Sequence, residues 1–124
     1  MRVVHEPAGQ RDGGSGRTVL ATEVTVADNF LSQLRGLRFR SSLPDGFALV
    51  FPFGGIDRRD IDMLFVRTPI DVLWVVEERV ERVETLNPWL GFGLAKADSV
   101  IELPPGVAED VSTGDRVVIE SDGE

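Results

Sequence analysis

Two carboxylates sit inside apolar runs: Asp71 in Thr68-Pro-Ile-Asp-Val-Leu-Trp74, and Glu102 in Val100-Ile-Glu-Leu103. A carboxylate set against a core is paired, hydrogen-bonded to backbone, or raised in pKa for acid–base work. Facing one cleft, the two could support glycoside-type hydrolysis or hold a hard divalent cation. Both also admit a structural reading. An Asp beside a Pro at a strand entrance accepts local backbone N–H groups and fixes a turn, and strand alternation lets Glu102 face water. Asp62, between Ile61 and Met63, is a weaker case of the same kind.

A second candidate is Arg35-Gly-Leu-Arg-Phe-Arg40, a stretch with no acidic residue between Asp28 and Asp45. Arginine forks match phosphate and carboxylate, so Arg38 could help hold an anion. Alternatively, Arg35 caps the negative end of a short helix and its neighbours are solvated. Trp89 and Phe92, in the loop Asn87-Pro-Trp-Leu-Gly-Phe-Gly93, could stack on a ring-shaped ligand or lid a small barrel. Gly91-Phe-Gly93 lacks the helix and Lys-Ser/Thr that a phosphate loop requires. His5 lies outside any motif with a nucleophile, so no Ser-His-Asp triad is expected. The polar neighbours of Lys96 argue against a buried catalytic amine.

The elements that must position these groups read as strands. Met1–His5 is a short strand candidate, followed by the flexible turn Arg11-Asp-Gly-Gly-Ser-Gly16 and a strand at Thr18–Val26. Asp28 offers an N-cap, with Phe30, Leu31 and Leu34 on one helical face and Gly36 as the stop. Phe47–Phe53 is apolar on both faces and ends at Gly54-Gly55; Asp57-Arg-Arg-Asp60 reads as an exposed loop. Ile61–Val66 and Val72–Val76 follow, then a hairpin at Glu77-Glu78-Arg79 leading into Val80–Leu86. Val100–Leu103, a helical turn near Val107–Val111 and Arg116–Glu120 complete the chain. Close-spaced short strands predict a compact antiparallel β-sandwich or barrel-like domain with one or two short helices.

Composition bounds the function. The chain has 124 residues, no Cys and one His, so thiolate and imidazole zinc sites, Cys nucleophiles and Fe–S clusters are excluded. No metal site or cofactor is assigned. At this length roughly two-thirds of the unfolded chain's surface is buried on folding, enough for one self-supporting domain over residues 1–124. Within it, residues 1–17 form an N-terminal strand and loop ahead of a core at 18–120. Twenty-one acidic residues against 13 basic ones give a net charge of −8, which argues against nucleic acid and anionic membranes as partners. With no apolar span or signal-like leader, the expected location is the cytoplasm. Lys96 is the only lysine among the basic residues. That bias fits a salt-rich cytosol or a high-GC genome; full stability without salt would remove the first reading.

The ordered set Gly36-Leu-Arg-Phe-Arg40, Gly46-Phe-Ala-Leu-Val-Phe51, Met63-Leu-Phe-Val66 with Thr68-Pro-Ile-Asp71, Asn87-Pro-Trp89, Ile101-Glu-Leu-Pro-Pro-Gly106 and Gly114-Asp115 resembles the prokaryotic family domain of unknown function 192 (DUF192). The resemblance runs from Thr18 to Glu120 and implies a mainly β fold, with no activity or cofactor attached. It marks Asp71, Glu102 and Asp115 as recurring polar positions. Arg38 departs from the family's usual Met, and Asp62 from an aromatic or His. Many relatives carry an export signal, which this chain lacks.

Three functions are therefore expected in order. The first is a β cradle binding a small polar or anionic ligand through Arg38, Asp71, Trp89 and Glu102. The second is an accessory domain that docks a protein partner through a loop or edge. The third is a carboxylate-based hydrolase using Asp71 and Glu102.

Overall fold

A computed structural model describes residues 1–9, 16–27 and 42–121. The helix expected from Asp28 to Gly36 and the arginines 35, 38 and 40 lie outside the described residues. Eight strands are formed: β1 (Arg2–Glu6), β2 (Thr18–Ala21), β3 (Glu23–Val26), β4 (Phe47–Asp62), β5 (Ile70–Val76), β6 (Arg79–Leu86), β7 (Phe92–Leu103) and β8 (Arg116–Glu120). They hydrogen-bond into one sheet in the order β2-β1-β8-β6-β5-β7-β4-β3. The fold is mainly β, as expected. Two expectations change: β3 runs parallel to β4, and the sheet is open, with β2 and β3 at its edges rather than closed into a barrel. No helix of the described residues is long and apolar enough to cross a membrane.

The core explains the arrangement. β5 is buried from Ile70 through Val75, because apolar clusters lie on both sides of it. Leu73 and Val75 join Ala48, Val50, Ile101 and Leu103 on one face. Val72 and Trp74 join Leu49, Phe51 and Val100 on the other. Strand residues alternate between faces, so a strand with two buried faces reads as a continuous apolar run.

The predicted strand Thr18–Val26 divides at Thr22. The N–H groups of Thr22 and Glu23 both donate to the carbonyl of Gly46, each at 2.9 Å, which turns the chain from β2 to β3. The two halves then pair with different partners, β2 with β1 and β3 with β4.

β4 does not stop at Gly54-Gly55. It runs on as 16 residues with a register shift between Pro52 and Asp57, a bulge that accommodates the missing N–H of Pro52. Beyond it Arg58 pairs with Lys96 and Asp60 with Leu94, so the expected charged loop is strand. Arg59 ties the bulge together: its Nη2 donates to the Gly55 carbonyl at 2.7 Å, and its guanidinium stacks over Phe53 at 4.1 Å. The buried Trp74 indole donates from Nε1 to the Arg59 carbonyl at 2.8 Å. Gly93 on β7 lets that ring approach, since a Cβ there would lie 2.4 Å from Trp74 Cη2.

Gly93→Ala should therefore lower stability by about 2 kcal/mol through overpacking. The urea midpoint reads this, and an unchanged midpoint would show that the Trp74 ring does not rest on Gly93.

Candidate functional site

Asp71 sits at the entry to β5 with its side chain on the Leu73 face. The Thr85 hydroxyl donates to its Oδ1 at 2.6 Å, and the N–H groups of Gly106 and Ala108 donate to Oδ2 at 3.0 and 2.9 Å. The two backbone donors come from the segment after β7. There, consecutive four-residue turns (Val107 N–H to Pro104, Glu109 N–H to Gly106, Val111 N–H to Ala108) replace the expected helical turn. Asp71 thus holds this segment over the sheet, and Ala108 and Val111 enter the core beneath it. The expectation that such an Asp fixes a turn fits, although the turn is 35 residues away rather than local.

Glu102 is buried and stands in register with Leu49 and Val72. Residues paired across a ladder share a face, and Val72 faces opposite to Asp71. The sheet therefore separates Asp71 from Glu102. No common cleft joins them, so the paired-carboxylate hydrolase geometry is not assembled. Asp71 and Glu102, two members of the expected cradle, thus lie on opposite faces of the sheet. Trp89 lies on the loop between β6 and β7, and Arg38 falls outside the described residues. Among the described residues, no three His, Cys, Asp or Glu side chains group to hold a metal.

His5 and Asp115 form a buried polar pair that no sequence motif announces. His5 Nε2 lies 2.8 Å from Asp115 Oδ2, and both side chains are buried. Asp115 also accepts the N–H of Ala8 at 2.8 Å and of Ser112 at 2.9 Å. Burial alone would push its carboxyl up. The Ala8 N–H, the His5 imidazole and the Ser112 N–H together outweigh it and hold the group below the ordinary Asp value of 3.8. An ionised carboxylate has no proton to give, so the His5 Nε2–H is the donor. Asp115 was visible in sequence as a recurring polar position; nothing in the spacing tied it to His5.

The most unusual surface lies where two loops meet. Residues 63–66 turn through a hydrogen bond from the Val66 N–H to the Met63 carbonyl at 2.9 Å. The neighbouring loop zips to it, as Met63 N–H donates to the Gly91 carbonyl at 3.0 Å and Trp89 N–H to the Val66 carbonyl at 3.2 Å. Asp62 Oδ1 accepts the Leu64 N–H at 3.0 Å and closes the entry to the turn. Met63, Val66 and Leu86 anchor the loops in the core. Around these anchors Leu64, Phe65, Trp89, Leu90 and Phe92 are exposed, Leu90 to 92% and Trp89 to 47%. Phe65 and Trp89 meet edge to face at 5.4 Å, and both adopt left-handed backbone angles, φ 63° and 67°. Bulky side chains rarely adopt that conformation. The expected strand Ile61–Val66 gives way to this turn after Asp62, and Trp89 and Phe92, expected to stack on a ring-shaped ligand or lid a barrel, are exposed. The missed signal was Asp62 beside that run, a residue suited to opening a turn.

The DUF192 family (Uncharacterized ACR) matches residues 11–119. The chain belongs to this family. UPF0127 proteins of Thermococcus kodakarensis and Thermococcus gammatolerans are 30% and 32% identical over 99 and 98 residues, covering 77% and 76% of this chain. The aligned stretch spans 63% and 64% of those relatives, so they are longer. A crystal structure of a proposed transcription regulator from Sinorhizobium meliloti superposes with a TM-score of 0.80 at 22% identity, covering 94% of this chain and 91% of that one. A Novosphingobium aromaticivorans protein of unknown function gives 0.76 at 24% identity, over 96% and 84% of the two chains. These likenesses concern the fold. The DUF192 match includes Asp71, Trp89, Glu102 and Asp115, whereas His5 precedes it.

Two variants test the carboxylate roles. Asp71→Ala strands two backbone N–H groups and should cost about 3 kcal/mol, while Asp71→Asn, which keeps one acceptor oxygen, should cost about half as much. Equal urea midpoints for both and wild type would show that Asp71 does not anchor the turn. Asp115→Asn should cost about 2 kcal/mol at neutral pH. Its folded pKa is lowered, so the carboxylate's contribution is present above the unfolded value and is lost as pH falls through the folded one. Urea midpoints measured between about pH 5 and 2 should fall less steeply for Asp115→Asn than for wild type.

Proposed function

We propose that this domain is an accessory module that docks a partner protein through the paired loops at residues 63–67 and 88–92. The observation that carries this reading is the exposure of five large apolar side chains, Leu64, Phe65, Trp89, Leu90 and Phe92, on zipped loops. Together they present on the order of 500 Å² of apolar surface, at the upper end of what a monomer exposes without a use for it. The backbone adds a second argument. Left-handed conformations at Phe65 and Trp89 cost of order 1–2 kcal/mol each, and such strain collects where a surface has work beyond folding.

A small-molecule cradle receives less support, because Asp71 has its oxygens engaged by protein donors and lies on the opposite face of the sheet from Glu102. The hydrolase reading lacks its pair of facing carboxylates.

If the tip serves docking rather than folding, Phe65→Asn should leave stability unchanged or raise it by up to about 1 kcal/mol, since Asn tolerates φ near 63°. A loss above about 2 kcal/mol would mean the aromatic pair holds the fold. For function, the tagged chain is purified from its own cells beside a Leu64→Ser, Trp89→Ser, Leu90→Ser variant of equal melting temperature. A stoichiometric companion that the variant loses supports docking by the tip. The same companion on both chains, or none on either, overturns it.

A further inference from the structure

Asp71 and Asp115 hold the two ends of one segment, and that segment lies along a strand edge that the sheet leaves open. We infer that residues 104–114 form a latched strap over the outer edge of β6, and that lifting the strap lets β6 pair antiparallel with β6 of a second copy of this chain.

The edge follows from the ladder. β6 pairs with β5 from Arg79 to Leu86, but with β8 at a single position, Arg79 with Arg116. The N–H and C=O of Val80 turn to Asp115 and Gly114, so those of its partner Val75 turn to β7. Backbone groups alternate along a strand, so Val72 and Trp74 turn theirs to β6, where Glu84 and Arg82 meet them. Val83 and Thr85 are left pointing outward, on a side where no ladder pair beyond Arg79 joins a described strand.

The strap runs beside that edge. Asp71, opposite Thr85, takes the N–H groups of Gly106 and Ala108; Asp115, beside Val80, takes that of Ser112. The segment therefore follows β6 from Thr85 to Val80. Between Pro105 and Gly114 only Ala108 and Val111 are buried, so little apolar surface resists its lifting. Gly106 and Gly114 have φ of 91° and 95°, a hinge at each end. A Cβ at either would meet nothing within 4 Å, so Ala there strains the closed strap through the backbone alone.

Charge names the occupant. Arg82 and Glu84 flank Val83 on the face that carries Trp74, and their side chains are 40% and 36% exposed. When two β6 edges meet antiparallel about Val83, Arg82 of each copy stands opposite Glu84 of the other. Opposite charges directly across a ladder are favourable, and the contact is two-fold and self-complementary.

The chain has no Cys, so Val83→Cys places a single thiol on the two-fold axis, where two copies can join as a disulfide. Oxidation with diamide, read on a non-reducing gel, should give the covalent dimer faster than Val19→Cys, an exposed thiol on the edge strand β2 that reports random collision. Adding Gly106→Ala and Gly114→Ala should raise the Val83→Cys rate roughly fivefold or more by lifting the strap. Arg82→Glu should lower it roughly fivefold, and Arg82→Glu with Glu84→Arg should restore it. A rate indifferent to the glycine substitutions shows that the strap does not gate β6 and overturns the inference. So does a rate no higher than at position 19, or one that the charge exchange does not restore. A mixed disulfide with a different protein in cell extract, in place of the dimer, assigns the edge to a foreign strand and also overturns it. If the alanine variant does not fold, amide exchange of the wild type decides the strap. The N–H groups of Ala108, Glu109 and Val111 should exchange together, roughly tenfold or more faster than that of Leu73 in β5. Equal rates would mean that the strap opens only with the whole fold, which also overturns the inference.

Discussion

A buried carboxylate must be met by donors, and in this fold that requirement organises the chain at two places. Asp71 accepts one hydroxyl and two backbone N–H groups; Asp115 accepts one imidazole and two backbone N–H groups. Each draws a turn onto the sheet that its own strand would not otherwise hold. Asp71 fastens the 104–111 segment across the face containing Leu73, and Asp115 links the end of β1 to the turn before β8. An unpaired buried carboxylate would be strongly unfavourable, so these contacts form together with the core or not at all. No buried side-chain polar atom in the described structure is left without a partner, which fits that account.

Saturation has a functional consequence. A carboxylate whose oxygens are all engaged by fixed protein donors has little capacity left for a substrate or metal. Alternation along the strands then places Glu102 behind the sheet from Asp71, whatever either one does alone. Chemistry by paired acids is thereby withdrawn from the centre of the domain. What the fold leaves outside is a different resource, an apolar apex supported by backbone zipping and by Met63 and Val66 in the core. Gly91 belongs to that support, because a Cβ there would come within 2.6 Å of the Asn87 carbonyl oxygen.

Much of the architecture was legible. The apolar runs of β5 and the first half of β4 announced strands buried on both faces, and Glu77-Glu78 was recognised as a hairpin connection even though both residues sit at positive φ where Asn or Gly is usual. Errors came where local signals were overridden by pairing. Pro52 and Gly54-Gly55 look like a strand end, but a bulge carries β4 past them because β7 is long enough to pair on both sides. Thr18–Val26 looks like one strand, but the Gly46 carbonyl splits it. Exposure of Leu64, Phe65 and Leu90 was hidden, since an apolar run of four residues reads equally as core strand or as turn until its neighbours are known.

Sequence alone determined the class of protein: a mainly β, acidic domain without Cys, with carboxylates embedded in its apolar strands and a family likeness carried by ordered motifs. These follow from composition and from periodicity, which depend on neighbours along the chain. Only the tertiary structure decided what the embedded carboxylates face. Their donors lie 35 residues or more away for the backbone contacts of Asp71, and 110 away for His5 with Asp115. Which face of the sheet each acid takes, and which apolar residues are left outside, is a matter of register and loop zipping, and no window along the sequence contains that information.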